Sequence, residues 1–86
     1  MLTAEACRAG RALLGWGLAD LARASGIAAG TLSRFENGRP IRTGTSSKLI
    51  TSFAAQGVEI VREKDRTGAL LIYARRRSMR GGRPLK

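Results

Sequence analysis

Residues 17–38, GLADLARASGIAAGTLSRFENG, decide the fold of this chain. Their apolar residues recur at helical spacing on either side of Gly26, which predicts two short helices, about Leu18–Ala24 and Ala28–Glu36, joined by a tight turn. Gly38 then suits a left-handed helix terminus. The residues expected to face inward are Leu21, Ala22, Ile27, Leu32 and Phe35.

The second of these helices has an outer face of small and hydrogen-bonding groups. A helix with such a low profile, packed through one stripe, can lie in the major groove of DNA. The stretch therefore predicts a helix-turn-helix motif with a recognition helix at 28–36. Arg34 is the best candidate for a bidentate contact with guanine; a phosphate contact or a surface ion pair is the alternative. The expected base contacts are Ala29, Gly30, Thr31, Ser33 and Arg34.

The charge balance also favours a polyanionic partner. The 86 residues hold 16 Lys and Arg against 6 Asp and Glu, a formal net charge of +10. Such an excess favours nucleic acid, because bound cationic side chains release the counterions condensed on the phosphates. Charge alone would equally fit a basic surface that only aids solubility, so the motif at 17–38 decides between the two.

Residue types used by enzymes and metal sites are scarce. The chain has no histidine and one cysteine, Cys7, which disfavours both zinc binding and a thiol nucleophile with a histidine base. We expect no enzyme activity, no cofactor and no metal, with Cys7 as a small buried residue of the first helix. An intrachain disulfide is impossible, and no apolar run has the length of a signal peptide or membrane span. These features predict a cytoplasmic protein.

Two further helices flank the central pair. Thr3 can cap a first helix at Ala4–Leu14, and a fourth is predicted near Ser46–Gln56 after a loop at 39–44. The inward residues of the first helix would be Ala6, Cys7, Gly10, Leu13 and Leu14. Those of the fourth would be Leu49, Ile50, Phe53 and Ala54.

The hydrophobic period changes after Gly57. The segments VEIVRE (58–63) and ALLIYAR (69–75) are rich in strand-forming residues, and the spacing predicts a hairpin with Gly68 in the turn region. A lone hairpin is marginal in water, so one face should cover the helices while an edge or the second face meets another chain. The last residues, 76–86, are basic and glycine-containing, and we expect a flexible basic tail.

Apolar, glycine and capping positions together resemble the Cro and phage-repressor-like (Xre) helix-turn-helix family, which includes small controller-type transcriptional regulators. The resemblance covers about residues 3–60 and implies a mainly α, four-helix, lambda-repressor-like domain at 1–57. The hairpin at 58–75 and the tail at 76–86 lie largely outside it. The matching residues are Arg11-Ala12-Leu13-Leu14-Gly15-Trp16, Leu21-Ala22, Ser25-Gly26-Ile27, Thr31-Leu32-Ser33-Arg34-Phe35-Glu36 and Asn37-Gly38.

The resemblance implies further roles. Arg11 would pair with Glu36, tying the first helix to the end of the recognition helix, whereas Arg8 and Arg23 are expected to be ordinary surface charges. The family usually has a DNA-contacting Gln where this chain has Leu18, so few groups are left for base contacts. Thr43, Thr45 and Ser46 could add contacts through their hydroxyls or through helix N-terminal amides, and Lys48 is a weaker candidate. The loop after the recognition helix would lie along the DNA backbone, and the backbone contacts expected are Leu18, Asn37, Arg39, Arg42 and Thr43.

Taken together, these expectations describe a homodimer on an inverted-repeat operator in double-stranded DNA. The protein would be an autoregulatory repressor, with activation through RNA polymerase contact as a variant, in the cytoplasm of a bacterium at the nucleoid and on a mobile genetic element. The alternatives are an antitoxin that binds a small protein partner and a DNA-bending recombination accessory protein. The dimer contacts expected are Val58, Ile60, Leu70, Ile72 and Tyr73.

Overall fold

Four helices precede a two-stranded antiparallel hairpin in the computed structural model of the chain, which describes residues 1–75. This order confirms the predicted mainly helical fold with a hairpin after the helices. The predicted tail at 76–86 lies outside the described residues. The elements are α1 Ala4–Leu14, α2 Leu18–Ser25, α3 Ala29–Glu36, α4 Thr43–Ala55, β1 Val58–Glu63, β2 Arg66–Leu71 and a single 3₁₀ turn, Tyr73–Arg75.

Local chemistry explains the ends of the first two helices. The hydroxyl of Thr3 accepts the N–H of Ala6 at 3.0 Å, as predicted for the cap of α1. Gly26 ends α2 in the left-handed conformation (φ 76°), where its N–H donates to the carbonyl of Ala22 at 2.8 Å. The tight turn between α2 and α3 therefore depends on glycine at position 26.

The fourth helix begins three residues earlier than predicted. Arg42 is its N-cap and Thr43 its first residue, whereas the sequence pattern predicts a start near Ser46. Ser46 is buried, and its hydroxyl accepts the N–H of Leu2 at 3.0 Å. The expected contact of this hydroxyl with DNA is therefore wrong. Ser46 instead joins the N-terminal segment to α4.

The core lies between the helices and the inner face of the hairpin. Its largest fully buried side chains are Phe53, Leu21, Leu32, Leu49, Val58 and Cys7. Trp16 is half-buried and stacks on Phe53, with ring centroids 6.4 Å apart. None of the helices within residues 1–75 has the length and apolar character needed to cross a membrane.

Two residues predicted to face inward are exposed. Leu13 is 38% exposed because it lies at one side of the stripe formed by Ala6, Cys7 and Gly10. Ala54 is exposed because it lies about 100° around α4 from the buried Phe53. Both residues are apolar, so the sequence pattern assigns them to the inward faces of α1 and α4. The buried faces of these helices are narrower than the pattern predicts.

The hairpin turn lies earlier than predicted. Lys64 and Asp65 form the turn, and Gly68 lies within β2 opposite Val61. Arg66 follows the turn and contacts the carboxylates of Glu63 at 3.0 Å and Asp65 at 3.1 Å, which favours a two-residue loop over one centred on glycine. Because the turn is earlier, the six residues of β1 pair with residues 66–71, and β2 ends at Leu71 rather than near Arg75.

The two faces of the hairpin differ in burial. Val58 and Ile60 are 1% and 6% exposed and lie in the chain's own core, with the half-buried Ala69 and Leu71 packed beside them. The side chains of both residues are therefore occupied within one chain, and their role in dimerisation stays a prediction. Leu70 and Tyr73 are 54% and 43% exposed.

We expect the substitutions Gly10→Ala and Gly44→Ala to change stability in opposite directions. A Cβ at Gly10 would lie 2.7 Å from a ring carbon of the fully buried Phe53, so overpacking should outweigh the gain in helix propensity and cost about 1–2 kcal/mol. A Cβ at Gly44 in α4 meets nothing within 4 Å, so alanine should stabilise by up to about 1 kcal/mol. Urea unfolding measures both, and stabilisation by Gly10→Ala would contradict the tight contact.

Candidate nucleic-acid interface

The open face of α3 carries five residues with little bulk. Ala29, Gly30 and Arg34 are exposed, while Thr31 and Ser33 are half-buried. The guanidinium of Arg34 lies back along the helix, with Nη2 3.4 Å from the hydroxyl of Thr31. A Cβ at Gly30 would lie 3.5 Å from Nη1 of Arg34, so the small residue leaves room for this arrangement. The charged group and the hydroxyl thus form one hydrogen-bonding surface.

A basic cleft runs beside this surface. It encloses about 370 Å³ between α3 and the start of α4, and three arginines, Arg34, Arg39 and Arg42, line it together with Thr31 and Thr45. The lining contains no acidic side chain. Arginine guanidinium groups suit phosphate oxygens because they can donate two parallel hydrogen bonds. The structure therefore brings the predicted base contact Arg34 and two predicted backbone contacts into one place.

The start of α4 lies beside the same cleft, which Arg42 and Thr45 line. Arg42 caps the helix through its backbone geometry, without a side-chain hydrogen bond to the first turn. The first N–H groups of a helix lack intrahelical acceptors and carry the positive end of its dipole. Thr43, a predicted backbone contact, is the first residue of this turn. Amides of this kind are suited to binding an anion such as a phosphate.

The other predicted backbone contacts lie apart from the cleft. Asn37 ends α3, where its side-chain amide donates to the carbonyl of Ser33 at 2.8 Å and its surface remains exposed. Leu18 is the first residue of α2 and is half-buried against the core. Neither residue lines the cleft. Their contacts with DNA remain predictions, with Asn37 the more accessible of the two.

A two-point ion pair holds α3 against α1. Nε of Arg11 donates to Oε2 of Glu36 at 2.9 Å, and Nη2 donates to Oε1 at 2.6 Å. Nη1 of the same guanidinium donates to the carbonyl of Trp16 at 3.0 Å, in the turn before α2. The Arg11 and Glu36 side chains are 20% and 6% exposed. One arginine thus fixes the relative positions of α1, the turn and the end of α3.

Arg8 has a structural contact that the sequence analysis missed. Its guanidinium donates to the backbone carbonyl of Glu36, at the C-terminal end of α3, where helix carbonyls need partners. The expectation of an ordinary surface charge is therefore wrong for Arg8. Its spacing of three residues before Arg11 places both on one side of α1 and is the signal that could have revealed it. Arg23, by contrast, is an exposed residue paired with Asp20 at 2.5 Å.

The surroundings of Glu36 keep its carboxyl ionised. Burial alone would raise its pKa, but hydrogen bonding with Arg11 and the Cys7 thiol, and the charges of Arg11 and Arg8, together lower the pKa below the usual value. Burial and the neighbouring Glu36 carboxylate raise the pKa of the Cys7 thiol. Cys7 is therefore a neutral core residue under physiological conditions, which agrees with its complete burial.

This ion pair predicts a loss of stability in acid. Because folding lowers the pKa of Glu36, its contribution is fully present above the ordinary glutamate pKa of about 4.3 and is lost as the pH falls through the lowered value. We expect Glu36→Gln to flatten the decline of the unfolding free energy below about pH 5. The exposed Glu5→Gln is the control. Equal pH profiles for wild type and Glu36→Gln in urea unfolding would refute this assignment.

The fold and the cleft together define a class of protein. A two-helix unit whose second helix presents small polar residues, beside arginines and free helix amides, is a DNA-binding helix-turn-helix domain. The helix-turn-helix family model of the Cro/C1 type, which is Xre-like, matches residues 8–53, and the chain belongs to this family. It is thus a DNA-binding helix-turn-helix regulator. No curated protein and no solved structure gives a significant match to the chain.

Proposed function

We propose that the protein is a transcriptional regulator that binds an inverted-repeat operator sequence-specifically as a homodimer. The observation that carries this proposal is the continuity between the open face of α3 and the cleft lined by Arg34, Arg39 and Arg42. With α3 in the major groove, the cleft faces the adjacent phosphates. A two-fold dimer would place two such helices ~34 Å apart along one side of the duplex.

The division of work within the site follows from chemistry. Thr31, Ser33 and Arg34 supply hydrogen bonds to base edges, and the methyl of Ala29 can contact a thymine methyl. Arg39 and Arg42 contact phosphates, which fixes the register of the protein on DNA but carries no sequence information. Specificity then depends mainly on Arg34, because Ala29 and Gly30 offer no side-chain hydrogen bond.

The proposed regulatory action is repression of the protein's own promoter in a bacterial cell. An operator that overlaps the promoter would block RNA polymerase, and a second site beside it would allow activation by direct contact with the polymerase. The protein's own concentration is the proposed signal, since dimerisation and operator occupancy both depend on it. Carriage on a phage or other mobile element rests on the family resemblance alone.

Selection from random DNA tests the proposal. We expect the full chain to enrich an inverted repeat, and Arg34→Ala to enrich a repeat that has lost a guanine position in each half-site. The control is Arg66→Ala, which removes the same charge from the exposed end of the hairpin and should enrich the wild-type repeat. Failure of the wild type to enrich any sequence would overturn the proposal.

The same experiment separates the alternatives. Strong bending of DNA with weak enrichment would favour a recombination accessory protein, because bending proteins select deformable sequences more than base edges. Operator binding that requires a co-purified small protein would favour an antitoxin. The small polar face of α3 beside the cleft is the reason for placing sequence-specific regulation ahead of both.

A further inference from the structure

The carbonyl of Glu36, at the C-terminal end of α3, accepts no backbone N–H from residues 1–75. Three residues further on, the N–H of Arg39 already donates to the carbonyl of Arg34 at 3.0 Å, in a Schellman motif with Gly38 at φ 101°. The fourth residue after Glu36 is Pro40, which has no N–H. The carbonyl of Glu36 therefore needs a donor from a side chain or from water.

Arg8 supplies that donor from α1. Its guanidinium donates to the Glu36 carbonyl, and a cation at this end of α3 also complements the negative end of the helix dipole. Arg11, about one turn further along α1, binds the carboxylate of the same residue at two points. Arg11 thus holds the side chain of Glu36, and Arg8 holds its main chain.

The segment after Glu36 carries the phosphate contacts of the proposed function. We call residues 37–42 the phosphate loop, in which Arg39 and Arg42 line the basic cleft. The far end of the loop is fixed, because Ile41 packs against the core and the carbonyl of Arg42 accepts the first helical N–H of α4 at 3.0 Å. The near end begins at the Glu36 carbonyl. Arg39 lies between these two anchors.

We propose that Arg8 is a positioning residue for DNA binding, which acts through the phosphate loop and not by touching DNA itself. By holding the Glu36 carbonyl, it fixes the near end of the loop and so the direction in which Arg39 enters the cleft. The inference rests on the proposed function, in which Arg39 contacts a phosphate. Without Arg8 the near end of the loop can move, and ordering Arg39 then costs free energy at the moment of binding.

Loss of Arg8 should affect Arg34 much less than Arg39. Arg34 lies within α3, whose backbone is fixed by helical hydrogen bonds and by the buried Leu32 and Phe35. A base contact of Arg34 specifies sequence, whereas a phosphate contact of Arg39 does not. Loss of Arg8 should therefore weaken binding to every sequence by the same factor and leave the preference for guanine unchanged.

A double-mutant cycle between Arg8 and Arg39 tests this role. Binding of the full chain is measured to the half-site recovered by selection and to a duplex of unrelated sequence. We expect Arg8→Met to weaken binding to both duplexes by about 3–10-fold, since ordering one long side chain costs that much. In a chain that already carries Arg39→Met, the same change should weaken binding by less than about twofold, because the side chain that Arg8 positions is gone.

Two controls accompany the cycle. Arg66→Met removes the same charge from the exposed end of the hairpin and should bind both duplexes like the wild type. Arg8 is exposed and methionine is a good helix former, so Arg8→Met should fold, which circular dichroism checks.

Two results would overturn the inference. Equal losses with and without Arg39 would show that Arg8 contacts a phosphate directly. An Arg8→Met chain that unfolds at lower urea concentration but binds both duplexes like the wild type would show that Arg8 only stabilises the fold. A wild type that binds the half-site and the unrelated duplex equally would instead count against the proposed function, and the coupling of Arg8 with Arg39 can still be measured on the unrelated duplex.

Discussion

Replacement of Arg11 by methionine should destabilise the protein by about 2–4 kcal/mol, much of the stability of a small domain. The substitution leaves the Glu36 carboxylate, only 6% exposed, without its two-point partner, and it also removes the donor to the carbonyl of Trp16. Trp16 is the chain's only tryptophan and stacks on Phe53, so its fluorescence reports unfolding in urea.

The double variant Arg11→Met with Glu36→Met is the control for this prediction. Removing both charges leaves no buried carboxylate without a partner, so the double variant should be more stable than Arg11→Met alone. Such non-additivity is the signature of a direct contact. An Arg11→Met protein within about 0.5 kcal/mol of the wild type would show that the pair contributes little to holding α3 in place.

The second large effect concerns base recognition. Arg34→Ala should reduce discrimination at one guanine of each half-site by about 1–3 kcal/mol, because a bidentate contact is lost. Arg42→Ala, which removes an arginine from the same cleft, should weaken binding to all sequences about equally and lower the salt dependence. Titration of both variants against the operator and single-base variants of it measures this difference. Uniform loss of affinity in both would make Arg34 a phosphate contact.

Much of the fold follows from local sequence signals. Thr3 and Gly26 act at the helix ends where their chemistry predicts, because caps depend on neighbouring residues alone. The start of α4 does not follow in this way. Thr43, Gly44 and Thr45 resemble loop residues, and the buried hydrogen bond from Leu2 to Ser46 joins segments that are distant in sequence. Tertiary packing therefore places this helix start.

The position of the hairpin turn also depends on tertiary packing rather than on local sequence alone. Gly68 is a strong turn signal, yet it lies within β2, and the turn falls at Lys64 and Asp65 next to the ion pairs of Arg66. The register is set by which residues the helices bury, and Val58 and Ile60 fill that place. Which apolar residues remain for another chain can be determined only after the chain's own core is known.

The sequence predicts which residues form the candidate site better than it predicts how they are arranged in space. The face of α3 follows from helical period, and the family resemblance supplies the arginines of the loop. The shared cleft of Arg34, Arg39 and Arg42 depends on the path of 37–42 and on the early start of α4. The spacing of Arg8 and Arg11 places both on one side of α1, but the contact of Arg8 with the end of α3 also depends on how closely the two helices approach each other.

A footprint on the DNA upstream of the protein's own coding sequence, at two salt concentrations, tests the central claim most directly. Added salt weakens binding that depends on phosphate contacts more than binding that depends on base contacts. We therefore expect a protected inverted repeat that persists at the higher salt concentration. Diffuse protection that disappears with salt would contradict sequence-specific recognition by α3 and would show that the charge of +10 accounts for the binding.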